Sequence, residues 1–161
     1  MRRREITLVR SYDAAPEIVF KAWTDAPQVA EWWGPHGFTN PVCEVDARPG
    51  GIVRIDMQAP DGTAFPMTGV CREVTAPERI VLATRAFLDE QGRAQLSGVI
   101  TAAFSRREGG GTELTLHATA AISTEELAGA LEGMDAGWGE SLDRLAEFLA
   151  KAAKPAGKGP S

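Results

Sequence analysis

Turn residues divide the stretch between Val42 and Ala121 into short segments of alternating apolar and polar residues, and this pattern limits the possible folds more than any other feature. Turns rich in glycine or proline separate the segments at the spacing of an antiparallel sheet. Ile100, Ala102 and Phe104 share one face of their segment, so this strand has an apolar side to bury. We therefore predict six antiparallel strands, at residues 41–48, 51–59, 63–75, 79–88, 94–106 and 112–121.

One strand and two short helices precede this sheet. Apolar and polar residues alternate from Glu5 to Tyr12, which predicts a strand. Pro16 suits the first turn of a helix that ends near Asp25. A second helix is predicted from Pro27 to Trp33. It ends at Gly34-Pro35, because glycine accepts a positive φ and proline cannot continue a helix.

A long C-terminal helix is predicted to cover the apolar side of the sheet. Ser123 and Glu126 have the spacing of a capping box, in which their side chains satisfy unpaired amides at the helix start. An apolar stripe at helical spacing then follows: Leu127, Leu131, Met134, Trp138, Leu142, Leu145, Leu149 and Ala152. We therefore predict an α+β protein with a single domain at residues 1–152 and a disordered tail at 153–161, which is rich in proline, glycine and lysine.

The tryptophans indicate a binding cavity. Trp32 and Trp33 are adjacent, so on a regular helix only one of them can lie at the centre of a buried face. The other should line a rim or a cavity mouth. Trp138 lies between Gly137 and Gly139 in the C-terminal helix, where each glycine costs about 1 kcal/mol relative to alanine. Either neighbouring backbone approaches the helix closely here, or the glycines leave room for a ligand beside Trp138.

Composition argues against several classes of function. The 161 residues carry a formal net charge of −5, without the basic excess of a nucleic-acid-binding protein. No segment has the pattern of a signal peptide or a membrane span, so we expect a cytoplasmic protein that does not bind membranes. Cys43 and Cys71 lack CxxC spacing, and His36 and His117 are the only histidines. We expect two free thiols, no metal and no cofactor.

Ionisable residues offer alternatives that the sequence leaves open. His36 follows the Trp-Trp-Gly-Pro turn, where it could act as an acid or base at a cavity mouth or be an ordinary loop residue. His117 is expected on the polar outer face of its strand. Four charged residues lie within strands: Arg54, Asp56, Arg72 and Arg85. Their side chains are either solvated or reach into the cavity, where an arginine would bind a carboxylate or a phosphate.

Several short motifs occur together in the order of one known family. They are Val19 to Asp25, Trp32 to Pro35, Gly50-Gly51, Asp61-Gly62, Gly69-Val70, Pro77 to Ile80, Gly111 to Leu116, Gly137-Trp138 and Leu142 to Leu145. Through them, residues 5–150 resemble bacterial proteins similar to the C-terminal domain of the Hsp90 ATPase activator. The resemblance implies the START-like helix-grip fold of the SRPBCC superfamily, in which a curved antiparallel sheet wraps around a long C-terminal helix and encloses a deep cavity.

The resemblance implies three alternative functions. The one we favour is binding of a small apolar or aromatic ligand in the cavity. The second is a cyclase-like or dehydratase-like enzyme, in which His36, Asp56 or a cavity arginine polarises a carbonyl. The third is an interaction module for an Hsp90-like chaperone, with a role in the stress response. We expect a monomer or a weak homodimer, with these residues at the ligand site: Trp33, Phe38, Met57, Met67, Phe87, Met134 and Trp138.

Overall fold

The computed structural model describes residues 2–153. In chain order the elements are β1 (Arg2–Tyr12), α1 (Pro16–Thr24), α2 (Ala26–Trp32), β2 (Thr39–Val45), β3 (Ile52–Gln58), β4 (Ala64–Thr75), β5 (Arg79–Leu88), β6 (Ala94–Arg106), β7 (Thr112–Ile122), α3 (Ala128–Glu132) and α4 (Met134–Ala153). The predicted strands and the two short helices are present with nearly the same bounds, which confirms the α+β class.

All seven strands form one antiparallel sheet in the order β1-β7-β6-β5-β4-β3-β2. Strands β2 to β7 form a meander, in which each strand pairs with the next in sequence. Strand β1 pairs with β7 along its whole length, so α1 and α2 carry the chain from one edge of the sheet to the other. The ring of Phe20 on α1 lies 5.7 Å from that of Phe104 on the inner face of β6, so α1 packs on the face that α4 also covers.

The hydrophobic core lies between the inner face of the sheet and α4. Leu142 and Leu145 of α4 are fully buried, as are Ala102, Leu114 and Leu116 of β6 and β7. Burial of one such leucine contributes roughly 1.5–3 kcal/mol to stability, so the apolar stripe determines which side of α4 faces the sheet. A curved sheet that grips a C-terminal helix is the predicted helix-grip fold.

The C-terminal helical segment begins differently from the prediction and is not continuous. The N-cap is Thr124 instead of Ser123, and its side-chain oxygen accepts from the backbone N–H of Glu126 at 3.4 Å. Ser123 follows the last residue of β7, and its N–H donates to the carbonyl of Gln95 at 3.0 Å, so this N–H is not available to the Glu126 side chain as a capping box requires. A 3₁₀ turn follows, and Gly133 then separates α3 from α4 with a non-helical ψ of 6°.

Arg4 of β1 holds the bend between these two helices. Its guanidinium donates to the carbonyls of Leu131 and Glu132 at 2.8 and 2.9 Å, and it pairs with the Asp135 carboxylate at 3.1 Å. The last carbonyls of a helix have no partner within the helix, so these bonds satisfy the end of α3. The long-range contacts of Arg4 therefore fix the direction in which α4 leaves Gly133.

The two cysteines are free thiols, as predicted. Cys43 lies on β2 and Cys71 on β4, with β3 between them. Burial raises the pKa of the Cys43 thiol to about 11, and it also raises the pKa of Cys71. Both thiols are therefore protonated at neutral pH.

Helix α4 ends at Ala153, the last residue that the structure describes. The rest of the predicted tail at 153–161 lies outside the described residues. Among the helices of residues 2–153, none is both long and apolar enough to cross a membrane.

Candidate binding groove

The four tryptophans of the chain form one cluster at the end of α2. Trp138 of α4 stacks on Trp23 of α1, with ring centroids 6.0 Å apart and an interplanar angle of 10°. It also meets the ring of Trp33 edge-on at 5.3 Å. Such aromatic pairs stabilise a core by about 0.5–1.5 kcal/mol beyond the area that they bury. Trp138 is the one tryptophan in the cluster that remains partly exposed.

The adjacent tryptophans are both buried, which differs from the prediction that one would line a rim. Trp32 is 0% exposed, and its indole N–H donates to the carbonyl of Ala22 at 2.9 Å. Trp33 is 8% exposed and has extended backbone, with a φ of −65° and a ψ of 134°. Because α2 ends at Trp32, the helical angle between neighbours does not apply, and both rings turn inward.

Arg144 of α4 caps the end of α2. Its Nη1 donates to the carbonyls of Trp33, Gly34 and Pro35, each at 3.0 Å, and its Nη2 donates to that of Glu31 at 3.1 Å. A cation is favourable at a helix C-terminus, where unpaired carbonyls point outward. Burial lowers the pKa of Arg144 from its ordinary value. Sequence reasoning gave this residue no role, although it lies in the Leu142 to Leu145 motif.

Two further side chains hold the loop that follows α2. The amide nitrogen of Asn40 donates to the carbonyls of Trp33 and Ala30, at 2.8 and 3.1 Å. The carboxylate of Glu140 accepts from the backbone N–H of His36 at 3.0 Å. Together with Arg144, these contacts fix the loop against α4. Neither residue could be selected from the sequence. Glu140 contacts a residue that is distant in the chain, and Asn40 contacts a loop outside the regular elements.

The inner face of the sheet is covered at one end and open at the other. Towards one end, inward side chains such as Ile80 and Ala102 are fully buried. Towards the end where β6 begins, the inward residues are only half-buried: Met57, Phe65, Met67, Thr84, Ala86, Leu96 and Gly98. We use the name open groove for the half-buried apolar residues Phe38, Met57, Met67 and Leu96 together with Trp138 of α4. They are less buried than the inward residues towards the other end of the sheet.

The loop after α2 forms one wall of the open groove. Gly34 has a φ of +97°, which favours glycine, and there is little room for a side chain on it. A Cβ atom at this position would lie 3.0 Å from the sulfur of Met57 and 3.4 Å from the Cβ of Phe38. The glycine therefore lets the loop pack closely on the sheet and brings Phe38 and Met57 together.

Gly137 leaves free space beside the tryptophan cluster. A Cβ atom on this residue would have no neighbour within 4 Å, so close approach of other backbone is not the reason for the glycine. Gly137 lies one turn before Glu140 and Ser141, on the side of α4 that faces the loop after α2. The space beside Gly137 is therefore open, and room for a ligand beside Trp138 stays a prediction.

The predicted site residues divide into three groups. Trp33 and Trp138 are in contact, and Met134 is buried one helical turn before Trp138. Phe38 and Met57 meet at Gly34, while Met67 lies on the inner face between Ile55 and Ala86.

Phe87 is 39% exposed and lies apart from the tryptophans, 6.3 Å from the ring of Phe65. Sequence reasoning missed Phe65, whose ring is also 6.0 Å from that of Phe38.

The possibility that a strand arginine reaches into the cavity is wrong. Arg54, Arg72 and Arg85 are exposed, whereas the residues on either side of Arg54 point inward and are buried. Arg54 pairs with Asp56 at 3.1 Å on the outer face. The alternation of side chains in a strand puts the charged residues on the opposite side from the core.

The two histidines both lie away from the inner face of the sheet. His117 lies on the outer face, where its Nε2 is 2.7 Å from the Glu5 carboxylate. His36 is exposed in the loop after α2. Within residues 2–153, no three histidine, cysteine, aspartate or glutamate residues are close enough to hold a metal ion.

A sequence model of the family described as Activator of Hsp90 ATPase homolog 1-like protein matches residues 13–150. The chain belongs to this family. The matched residues include the tryptophan cluster, the loop after α2 and Arg144. The whole candidate groove therefore lies within the part of the chain that matches the family. No curated protein sequence matches the chain.

Solved structures of bacterial proteins share this fold. A protein from Chromobacterium violaceum is 29% identical with a TM-score of 0.77, over 89% of this chain and 95% of its own. A protein from Nitrosomonas europaea is 26% identical with a TM-score of 0.74, over 92% and 95%. The AHSA1 protein from Silicibacter pomeroyi is 23% identical with a TM-score of 0.77, over 92% and 99%. The likeness extends over nearly the whole of each chain.

Proposed function

We propose that this member of the family binds a small, neutral, apolar or aromatic molecule in the open groove beside Trp138. The observation that carries the proposal is the difference in burial along the inner face of the sheet. Inward apolar side chains are fully buried at one end and half-buried at the other. Apolar surface that remains accessible in a concave site is typical of small-molecule binding sites.

The groove's chemistry supports a neutral ligand. Its sheet side presents Met57, Met67 and Leu96, which are apolar and partly accessible. Thr84 is the polar side chain among the inward residues at this end, and its hydroxyl donates to a backbone carbonyl at 3.5 Å. Methionine side chains adapt to irregular apolar shapes, so the groove suits an aromatic or branched molecule better than a charged one.

The rigidity of the loop wall also supports the proposal. Arg144, Asn40 and Glu140 hold the loop after α2 with hydrogen bonds between 2.8 and 3.1 Å. A wall that is ordered before binding reduces the conformational entropy lost when a ligand binds. The alternative of an enzyme has less support, because Asp56 and His117 lie on the outer face and His36 is an exposed loop residue.

A neutral fluorescent probe, N-phenyl-1-naphthylamine, tests the proposal. The wild-type protein should bind it saturably, with energy transfer from tryptophan to the probe. Gly137→Leu should weaken binding by about tenfold, because an added side chain that removes about 60 Å² of apolar contact costs about 1.5 kcal/mol. Gly129→Leu is the matched control, since a Cβ atom at Gly129 also meets nothing within 4 Å but lies on α3.

Equal binding by the two leucine variants would place the probe elsewhere on the molecule. Absence of saturable binding by wild type would reject the small-molecule proposal. Interaction with an Hsp90-like chaperone, which the family's description suggests, would then become the first candidate.

A further inference from the structure

Strands β4 and β5 separate near one end of the sheet. Their pairing reaches only to Met67 opposite Ala86. Beyond this point β4 still pairs with β3 as far as Ala64, and β5 still pairs with β6 as far as Leu88. The β3–β4 hairpin and the β5–β6 hairpin therefore diverge, which leaves a gap in the middle of the sheet.

The residues at the start of the gap explain why pairing stops there. Pro66 has no backbone N–H, so it cannot donate to a neighbouring strand. Phe87 has a φ of +54°, a left-handed conformation that is rare for an aromatic residue and interrupts the regular pleat. The two interruptions lie directly beside the last pair, Met67 and Ala86. The proline in β4 and the backbone conformation of Phe87 in β5 therefore both account for the gap between the two strands.

The gap forms a pocket with a volume of about 300 Å³, which is at the lower end of the range for small-molecule sites. Its apolar lining includes Phe65, Pro66, Phe87 and Leu88. Phe87 is 39% exposed and Leu88 is 56% exposed, so large apolar side chains are accessible to a ligand. The ring of Phe65 stands between this pocket and Phe38 at the wall of the open groove.

The pocket contains one charged residue, Arg85. Its Nη2 donates to the carbonyl of Gly92 at 3.2 Å, and the guanidinium forms no ion pair with any residue from 2 to 153. Its cross-strand neighbours, Thr68 and Ser97, are neutral. An arginine has five N–H donors in a planar fork that matches a carboxylate, so most of its donors remain available for an anion.

We propose that this gap is a second binding pocket, distinct from the open groove, for a small amphipathic carboxylate. The apolar body of the ligand packs on Phe65, Phe87 and Leu88, and its carboxylate accepts hydrogen bonds from Arg85. An aryl acid or a branched alkyl acid has this combination of an apolar body and one anion. The positive charge beside an accessible apolar surface is what selects the acid over its neutral analogue.

The test compares 2-naphthoate with 2-naphthamide, its neutral isostere, in an amide ¹H–¹⁵N NMR titration of the full chain. 2-Naphthoate should shift the amide signals of Ala64, Phe65, Met67 and Thr68 on β4 and of residues 85–88 on β5. 2-Naphthamide should bind there about tenfold more weakly, because it lacks the charge-assisted hydrogen bonds. Arg85→Gln should weaken 2-naphthoate by a similar factor and leave 2-naphthamide unchanged. Arg72→Gln, at another exposed arginine of the sheet that does not line the pocket, is the control.

Phe87→Gly tests the apolar part of the pocket. Glycine adopts a positive φ without strain, so the backbone should keep its conformation while both probes lose affinity. Gly137→Leu should leave 2-naphthoate binding unchanged, so failure of this pocket and failure of the open groove are separate results. Equal affinity for acid and amide, no effect of Arg85→Gln, or shifts centred on Trp33 and Trp138 would overturn the proposal.

Discussion

At the residue scale, the candidate groove depends on side chains whose roles arise from distant contacts. The sequence marked Trp33 and Trp138 as cavity residues, because adjacent tryptophans and helical glycines are unusual in any chain. It gave no reason to select Arg144 or Asn40. Both side chains satisfy backbone carbonyls of α2 and the loop after it, and no periodic pattern in a sequence encodes such a contact.

Replacement of Arg144 tests how strongly the loop is held. Arg144→Gln should lower the free energy of unfolding by about 2 kcal/mol, because it leaves the carbonyls at the end of α2 without a charged donor. Urea unfolding measures the change. Arg79→Gln is the control, since Arg79 makes an exposed ion pair with Glu73 at 3.1 Å and should cost less than about 1 kcal/mol. Equal losses for the two variants would contradict the capping role.

At the element scale, the strands and the first two helices could be predicted because their signals are local. Turn residues and alternation defined β2 to β7, and Gly34-Pro35 defined the end of α2. The start of the C-terminal helical segment could not be predicted in the same way. Ser123 has a better capping pattern than Thr124, but its N–H is paired with the carbonyl of Gln95 and is not available to the Glu126 side chain. A tertiary contact therefore overrides the local preference.

The two candidate caps can be separated by alanine substitution. Thr124→Ala should destabilise the protein by about 0.5 kcal/mol, the low end for an N-cap, since its hydrogen bond to Glu126 is long at 3.4 Å. Ser123→Ala should change stability less, because its side chain caps nothing. Thermal unfolding of both variants measures the difference. If Ser123→Ala lowered stability more than Thr124→Ala, Ser123 would be the N-cap, as the capping box predicts.

At the scale of the whole molecule, the helix-grip fold follows from the order of elements, but the position of the opening does not. The apolar stripe of α4 and the apolar faces of the strands predict a sheet that covers a helix. The groove depends on where α4 leaves the sheet, and the bend at Gly133, which Arg4 holds from β1, sets that direction. The single domain at 1–152 and the monomer or weak homodimer remain predictions.

Stability should decline at alkaline pH. Burial raises the pKa of Cys43 from 9.0 to about 11 in the folded protein, and it also raises the pKa of Tyr12. Above pH 9 the unfolded state therefore loses protons that the folded state retains, so stability falls as pH rises towards 11. The urea midpoint should drop between pH 8 and about pH 10.5. In Cys43→Ser the urea midpoint should drop less over the same pH range. A drop equal to that of the wild type would reject the Cys43 thiol as the cause.

The central claim is that a neutral apolar molecule binds beside Trp138. Its most direct test is a ¹H–¹⁵N spectrum, which shows the indole N–H signals of the four tryptophans. On titration with N-phenyl-1-naphthylamine, the Trp138 signal should shift saturably and the Trp33 signal should follow. Trp23 and Trp32, which are 2% and 0% exposed, should move least. Saturable binding that leaves the Trp138 signal unmoved, or no binding at all, would contradict the account.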